Sequence, residues 1–149
     1  ADIENLKRAF INILDNAIRY SPANEEIQIE IFKRDSSVVI RVRDKGIGLE
    51  ENEFNDIFSR FYRGDPSRTK FKKSGSGLGL SITKKIINNN KGFIKAFNHK
   101  DGGAIIEVIF PLTVESWDLY KHYLIVFNTF TTLFYEIKKA CKIAGFRYE

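Results

Sequence analysis

The sequence is poor in the residues that build disulfide frameworks, metal clusters and imidazole chemistry. Its 149 residues include one cysteine, Cys141, and two histidines, His99 and His122. A single cysteine excludes an internal disulfide framework and a cysteine-based metal cluster, and it fits a reducing cytosol. We expect both histidines to be surface residues.

Three further patterns are missing. Basic residues outnumber acidic ones by 24 to 19, which suits a phosphate-bearing partner, but they form no block with interleaved aromatics and so do not indicate nucleic acid. The uncharged stretch between Lys121 and Glu136 is shorter than the ~20 residues of a membrane span. No signal peptide opens the chain, which begins inside a predicted helix. We therefore expect a cytoplasmic fragment of a larger protein. Anchoring of that larger protein in the inner membrane is compatible with this expectation.

A glycine-rich stretch runs straight into a predicted helix that has Leu78, Ile82 and Ile86 on one face. The stretch reads Gly75, Ser76, Gly77, Leu78, Gly79 and Leu80. Helix-opening amides lack intrahelical partners and the helix dipole favours negative charge there, so the pattern indicates an anion site. No Gly-Lys-Ser/Thr follows, so this is not a P-loop. A purely structural turn is the alternative.

The first predicted helix, residues 2–20, has two asparagines one turn apart, Asn12 and Asn16. Two amides on one stripe are typical of a solvated face. They also suit a hard divalent cation such as magnesium, because neutral amide oxygens add no anionic charge near phosphate. Arg19 and Tyr20 follow, offering a cation for phosphate and an aromatic ring for stacking.

Alternating apolar and polar residues predict strands over residues 27–31 and 38–43, joined by a loop over 33–37. The second strand runs into Asp44, and the glycines Gly46 and Gly48 flank Ile47. A carboxylate at this position is suited to accept a hydrogen bond from the exocyclic amine of adenine, and the glycines leave room for a flat base. An Asp-containing turn is the alternative.

Residues 49–58 predict a short acidic helix, and Phe58 and Phe61 are expected to fill the core. Arg63 begins a polar loop over 64–74 that has the character of a lid. After the second long helix, residues 93–97 and 104–110 predict two more strands, and Pro111 ends this unit.

Taken in order, these motifs closely resemble the ATP-binding catalytic domain of bacterial sensor histidine kinases, a branch of the GHKL ATPase superfamily. The four motifs are the asparagine motif at 12–21, the first glycine motif at 44–48, the phenylalanine motif at 57–63 and the second glycine motif at 75–80. The resemblance covers about residues 2–112. It implies a two-layer α/β sandwich: a mixed sheet, helices on one face, and ATP held under a lid.

The resemblance also implies a role for each motif residue. Asn16 would be the main Mg²⁺ ligand, with Asn12 assisting, while Arg63 would face the γ-phosphate. The remaining residues would bind the nucleotide: Arg19 the phosphates, Tyr20 and Asp44 the adenine with Gly46, Ile47 and Gly48 around it, and Gly75, Ser76, Gly77, Leu78, Gly79 and Leu80 the phosphates through the turn and helix amides.

The sequence departs from the family pattern at both ends. The strand that usually precedes the asparagine helix is missing, and so is the acceptor-histidine motif, which implies a separate histidine-bearing dimerisation domain as partner and a response regulator downstream. Residues 113–149 form an atypical appendage with a moderate helix signal. We expect it to cover a sheet edge or face; an interaction surface and sequence foreign to the domain are the alternatives.

Three other functions compete with the histidine kinase. A free-standing GHKL protein kinase of the anti-sigma-factor type is disfavoured by the phenylalanine motif. A nucleotide-gated interaction module would bind ATP without transferring phosphate. The intact motifs indicate that ATP binding is retained, but they do not distinguish this module from an active kinase. A chaperone- or repair-type ATPase is disfavoured because those relatives place a glutamate where Asn12 stands.

Overall fold

A single sheet with helices on one side organises the computed structural model, which describes residues 3–64 and 76–112 and the backbone of 147–148. The elements, in chain order, are α1 (Ile3–Tyr20), β1 (Gln28–Arg34), β2 (Ser37–Arg43), α2 (Glu53–Asp56), α3 (Gly79–Asn89), β3 (Phe93–Asn98), β4 (Ala104–Pro111) and β5 (Arg147–Tyr148).

The strands lie in the order β3-β4-β2-β1-β5. Four of them pair antiparallel, whereas the short edge strand β5 pairs parallel with β1 through Glu30 and Ile31. The predicted mixed sheet is therefore confirmed. Residues 147–148 pair at one edge of the sheet, while the rest of the predicted appendage, residues 113–146 and 149 with its helix signal, falls outside the described residues.

The core lies between the sheet and the two long helices. In α1 the residues predicted from their spacing, Leu6, Phe10, Ile13 and Ala17, are all buried. Ile86 and Ile87 of α3 join the same cluster. The strands contribute alternate residues to it: Ile29, Ile31, Ile40, Val42, Ala96, Ile106 and Val108. Because strand side chains alternate between faces, both helices must lie on one face, which confirms the predicted two-layer sandwich.

The opposite face of the sheet is built around a carboxylate. Glu107 on β4 is 0% exposed and accepts hydrogen bonds from Arg41 Nε at 2.6 Å and Arg34 Nη2 at 3.1 Å, with Lys95 Nζ 3.1 Å away. Burial raises the pKa of the Glu107 carboxyl, but hydrogen bonds from Arg41, Arg34 and Lys95 outweigh burial and hold it below its ordinary value.

Three local predictions were wrong. The loop expected over 33–37 shrinks to residues 35–36, since Arg34 extends β1 to reach Glu107 and Asp35 takes a left-handed φ of 53°. The acidic helix forms only over Glu53–Asp56. Phe58 is buried, but Phe61 is 72% exposed because its left-handed backbone, with φ 61°, turns it away from the core.

Within the described ranges, none of the helices has both the length and the apolar character needed to cross a membrane.

Candidate functional site

The asparagine motif and the second glycine motif meet in the structure. Asn12 Nδ2 donates hydrogen bonds to the carbonyl of Gly79 at 3.3 Å and to Thr83 Oγ1 at 3.4 Å. Thr83 is completely buried and donates in turn to the carbonyl of Ala9. A helix-to-helix polar contact therefore fixes Asn12 beside the first turn of α3, with its amide oxygen 3.9 Å from the position of a Gly79 Cβ.

The first turn of α3 presents backbone amides. Its first intrahelical hydrogen bond runs from the Ile82 amide to the Leu78 carbonyl. The amides of residues 79–81 precede this bond and therefore have no carbonyl of the same helix to donate to. No side chain caps this end and no acidic residue lies in the turn. The dipole and the uncapped amides together favour an anion, and Asn12 lies directly alongside.

Asp44 lies at the end of β2, buried to 7% exposure. Its Oδ1 accepts hydrogen bonds from the amides of Gly46 at 2.9 Å and Ala104 at 3.0 Å, and its own amide donates to the Ala104 carbonyl. Burial raises the pKa of the Asp44 carboxyl above its ordinary value, against the opposing effect of the Ala104 and Gly46 amides. One carboxylate oxygen is thus committed to holding the side chain in a fixed orientation.

The loop after Asp44 passes close to neighbouring protein atoms. A Cβ at Gly46 would come within 2.6 Å of the Tyr20 carbonyl oxygen, and one at Gly48 within 2.9 Å of Asn98 Oδ1. Gly48 also has a left-handed φ of 79°. Both glycines are therefore needed by the chain itself. That they also leave room for a base stays a prediction.

A backbone hydrogen bond links the two residues that flank the segment 62–76. The Phe61 amide donates to the Gly77 carbonyl at 3.1 Å. Beside this contact, Tyr62 Oη donates to Glu53 Oε1 at 2.5 Å, and Glu53 Oε2 accepts from the Glu50 amide at 2.7 Å. A buried carboxylate thus anchors the start of the predicted lid, while residues 65–74 of that lid lie outside the described part of the chain.

A scan of protein families matches residues 1–114 to the histidine kinase-, DNA gyrase B- and HSP90-like ATPases. The chain belongs to this ATPase family. Among its curated relatives, the sensor protein SphS of Synechococcus elongatus is 37% identical over 116 residues, covering 74% of this chain and 28% of the relative. The histidine kinase ArlS of Staphylococcus aureus is 38% identical over 104 residues, covering 70% and 23%. The chain spans about a quarter of the length of these relatives.

Solved structures agree with this assignment. The mycobacterial sensor histidine kinase MprB is 28% identical with a TM-score of 0.65, over 74% of this chain and 72% of that one. The catalytic domain of the histidine kinase ThkA, in a nucleotide-free form, is 31% identical with a TM-score of 0.63, over 76% and 70%. The similarity is thus to the catalytic domains of histidine kinases within the ATPase family.

The remaining predicted residues of the ATPase site differ in their surroundings. Asn16 is half-buried one turn after Asn12 on α1. Arg19 pairs with Asp15 at 2.8 Å on the same helix. Tyr20 is 42% exposed and Ile47 is 64% exposed. Arg63 is also exposed, and Gly75 lies outside the described residues.

Several residues that hold the site were missed by sequence reasoning. Ser21 Oγ accepts the Lys45 amide at 3.0 Å, and Asn98 exchanges two hydrogen bonds with Leu49. Neither residue has a local pattern that reveals its partner, because both contacts join distant parts of the chain. Thr83 did leave a signal, since a polar residue one turn after Gly79 falls on the face that packs against α1.

The chemistry of the asparagine pair fits magnesium. The described residues contain no cluster of three or more His, Cys, Asp or Glu side chains suited to a metal, and the asparagine pair offers neutral amide oxygens. Magnesium takes oxygen donors and commonly binds through few protein ligands together with substrate phosphates. Asn12 and Asn16, next to a helix end that favours anions, are compatible with that arrangement.

Proposed function

We propose that the chain is the ATP-binding catalytic domain of a sensor histidine kinase, donating the γ-phosphoryl group of ATP to a histidine on a separate dimerisation domain. The observation that carries the proposal is the contact between Asn12 and the first turn of α3. It joins a cation-compatible amide to a helix end that suits phosphate. Family membership supports the ATP-binding part of the proposal, and the named relatives support the histidine-kinase part.

At the adenine end, Asp44 is the residue that reads the base. Its Oδ1 is engaged by the Ala104 and Gly46 amides, which leaves Oδ2 to accept a hydrogen bond from the exocyclic amine. Guanine presents a carbonyl oxygen instead of that amine, and a carboxylate repels it. Adenine is therefore preferred. Tyr20 and Ile47, both partly exposed beside this loop, contribute apolar surface for the ring.

At the phosphate end, the amides at the start of α3 bind the phosphate chain, and Ser76 and Gly77 precede them. Gly75, which lies outside the described residues, is assigned to the same phosphate site on the family resemblance alone. Asn16 holds Mg²⁺ with help from Asn12. When bound, the ion neutralises phosphate charge and orients the transferring group. Arg63 brings positive charge to the γ-phosphate, and Arg19 contacts phosphate once it leaves Asp15, an exposed partner that contributes little.

Transfer itself depends on positioning and electrostatic stabilisation, because phosphoryl transfer needs little covalent chemistry from the protein. The acceptor histidine and the response regulator that receives the phosphoryl group are supplied by other domains. The chain is accordingly a donor module, and we expect it to bind ATP alone but to transfer phosphate only when a histidine hairpin is added.

Calorimetric titration with a non-hydrolysable ATP analogue, with and without Mg²⁺, tests binding in the 149-residue chain. We expect Mg²⁺-dependent binding that is lost in Asn16→Ala, and a preference for adenine over guanine nucleotides that is lost in Asp44→Ala. Asn90→Ala is the matched control, because the Asn90 amide donates to the Ile86 carbonyl at the far end of α3. Equal loss in all three variants, or no binding to the wild type, would contradict the proposal.

Phosphotransfer is tested separately with radiolabelled ATP and a supplied dimerisation hairpin from a histidine kinase. Acid-labile, alkali-stable label on the hairpin supports transfer to histidine. Tight ATP binding without any label would instead favour a nucleotide-gated interaction module.

A further inference from the structure

We propose that Asn98 is a positioning residue for nucleotide binding: it fixes the far end of the loop 44–49, whose near end is Asp44. The proposal rests on the proposed function, since it concerns the same adenine pocket. Asn98 lies outside all four sequence motifs, at the last position of β3.

The contact between Asn98 and the loop has the form of a backbone pairing. The Leu49 amide donates to Asn98 Oδ1 at 2.8 Å, and Asn98 Nδ2 donates to the Leu49 carbonyl at 2.7 Å. A primary amide has one acceptor and donors on the same plane, so it can satisfy both polar groups of one peptide residue. Leu49 is thereby held like a residue paired to a neighbouring strand.

The other end of the loop is held by the same hairpin. Asn98 and Ala104 face each other in the β3–β4 register, and Ala104 exchanges backbone and side-chain hydrogen bonds with Asp44. Two opposed residues of one rigid hairpin thus hold both ends of the loop, Asp44 through Ala104 and Leu49 through Asn98. The span between them, residues 45–48, contains the two glycines predicted to border the base.

The identity of residue 48 follows from this arrangement. Asn98 Oδ1 would lie 2.9 Å from a Cβ at position 48, and Gly48 has φ 79°. The amide can reach Leu49 only because Gly48 has no side chain in its path. The contact between Asn98 and Leu49 therefore requires glycine at position 48.

Loss of the Asn98 amide should loosen the loop without unfolding the protein. The two hydrogen bonds are exposed to water, so their net effect on stability is small. The loop must then be ordered when nucleotide binds, and that entropy weakens binding. We expect Asn98→Ala to weaken ATP-analogue affinity about 3- to 10-fold, the effect of roughly one net hydrogen bond.

The test compares wild type, Asn98→Ala, Asn98→Asp and the control Asn90→Ala in the 149-residue chain. Three quantities are measured: the melting temperature, the exchange rate of the Leu49 amide proton in the nucleotide-free protein, and the dissociation constant for a non-hydrolysable ATP analogue. We expect Asn98→Ala to speed Leu49 exchange and weaken binding with little change in melting temperature. Asn98→Asp replaces the Nδ2 donor by an oxygen that repels the Leu49 carbonyl, so it should speed Leu49 exchange as Asn98→Ala does. Asn90→Ala should match wild type in exchange and affinity.

Unchanged Leu49 exchange in Asn98→Ala would overturn the clamp, and faster exchange with unchanged affinity would overturn its role in nucleotide binding. Failure of the wild type to bind the analogue would overturn the proposed function and this role together. In that event the exchange data would still decide whether Asn98 holds Leu49, so the two failures are distinguishable.

Discussion

Gly103 lies directly against Asp44. A Cβ added to Gly103 would come within 2.0 Å of the Asp44 carbonyl oxygen, and the backbone of Gly103 is left-handed with φ 81°. The tight turn before β4 is therefore what allows the Ala104 amide to reach the Asp44 carboxylate at 3.0 Å. The orientation of the Asp44 side chain therefore depends on a glycine 59 positions away in sequence.

We predict that Gly103→Ala destabilises the protein by more than ~2 kcal/mol and abolishes ATP-analogue binding, because the backbone must move away from Asp44. The neighbouring Gly102→Ala is a matched control. Gly102 also has positive φ, at 95°, but a Cβ there meets nothing within 4 Å. It should lose only about 1–2 kcal/mol for the left-handed conformation and keep its affinity. Thermal denaturation and calorimetry measure both effects, and equal behaviour of the two variants would refute the contact.

A second prediction concerns the buried carboxylate of the outer sheet face. Replacing Glu107 by glutamine leaves Arg41, Arg34 and Lys95 without their shared charge, so we expect a loss on the order of 2 kcal/mol at neutral pH. Glu30→Gln is the control, since Glu30 is 50% exposed and its nearest approach to Arg41 is 3.9 Å. We expect it to change stability by less than about 0.5 kcal/mol. Urea denaturation gives both values.

The pH dependence of this effect has a definite sign. The pKa of Glu107 is lowered in the folded protein, so its stabilising contribution is complete above the ordinary glutamate pKa of about 4.3 and is lost as the pH falls through the folded value. The difference between wild type and Glu107→Gln should therefore be constant near neutrality and shrink in acid. A difference that grows as the pH falls would contradict the assignment.

The sequence predicted the architecture well because its signals were periodic. The apolar spacing in α1 and the alternation in β1 and β2 identify the core faces of these elements. Phe61 was misplaced for an identifiable reason: apolar composition predicts burial, but a left-handed backbone at one residue, tied to Gly77, turned its ring to solvent. No pattern around Phe61 announces that geometry.

Two of the motifs predicted for the site meet in the structure, whereas the residues that hold these motifs in place were not predicted. Asn12 and Gly79 were each identified, and the structure joins them through one hydrogen bond. Ala104 was predicted only as the start of a strand, and Asn98 lay just beyond the strand predicted over 93–97, because the roles of both residues come from the pairing of β3 with β4. The contacts of such residues depend on how distant strands pair, and a local sequence pattern carries no information about that pairing.

A third prediction separates the polar and apolar roles of Thr83. Thr83→Val removes the hydroxyl that receives Asn12 Nδ2 and donates to Ala9 while keeping the buried shape. We expect Mg²⁺-dependent ATP-analogue affinity to fall several-fold and stability to fall by about 1 kcal/mol. Thr83→Ser keeps the hydroxyl and removes a buried methyl group, so it should lose about 1 kcal/mol with affinity intact. Loss of affinity in both variants would mean that packing, and not the hydrogen bond, positions Asn12.

A fourth prediction concerns the base of the predicted lid. Burial, reinforced by the hydrogen bond to Glu53, raises the pKa of the Tyr62 phenol well above its ordinary value of about 10. A raised pKa means that the stabilisation is present in full below pH ~10 and is lost as the pH rises through the folded value. We expect Tyr62→Phe to lower stability by about 1 kcal/mol at neutral pH and to abolish this alkaline loss.

Tyr20→Phe is the control for that experiment, because Tyr20 is a partly exposed tyrosine on a different element. Denaturation of the three proteins between pH 7 and about 11 gives the comparison. If Tyr62→Phe still loses stability at high pH, another titrating group is responsible for that loss. A neutral-pH stability unchanged in Tyr62→Phe would mean that the Glu53 contact does not hold the start of the lid, and Arg63, the next residue along, would then owe its position to other contacts.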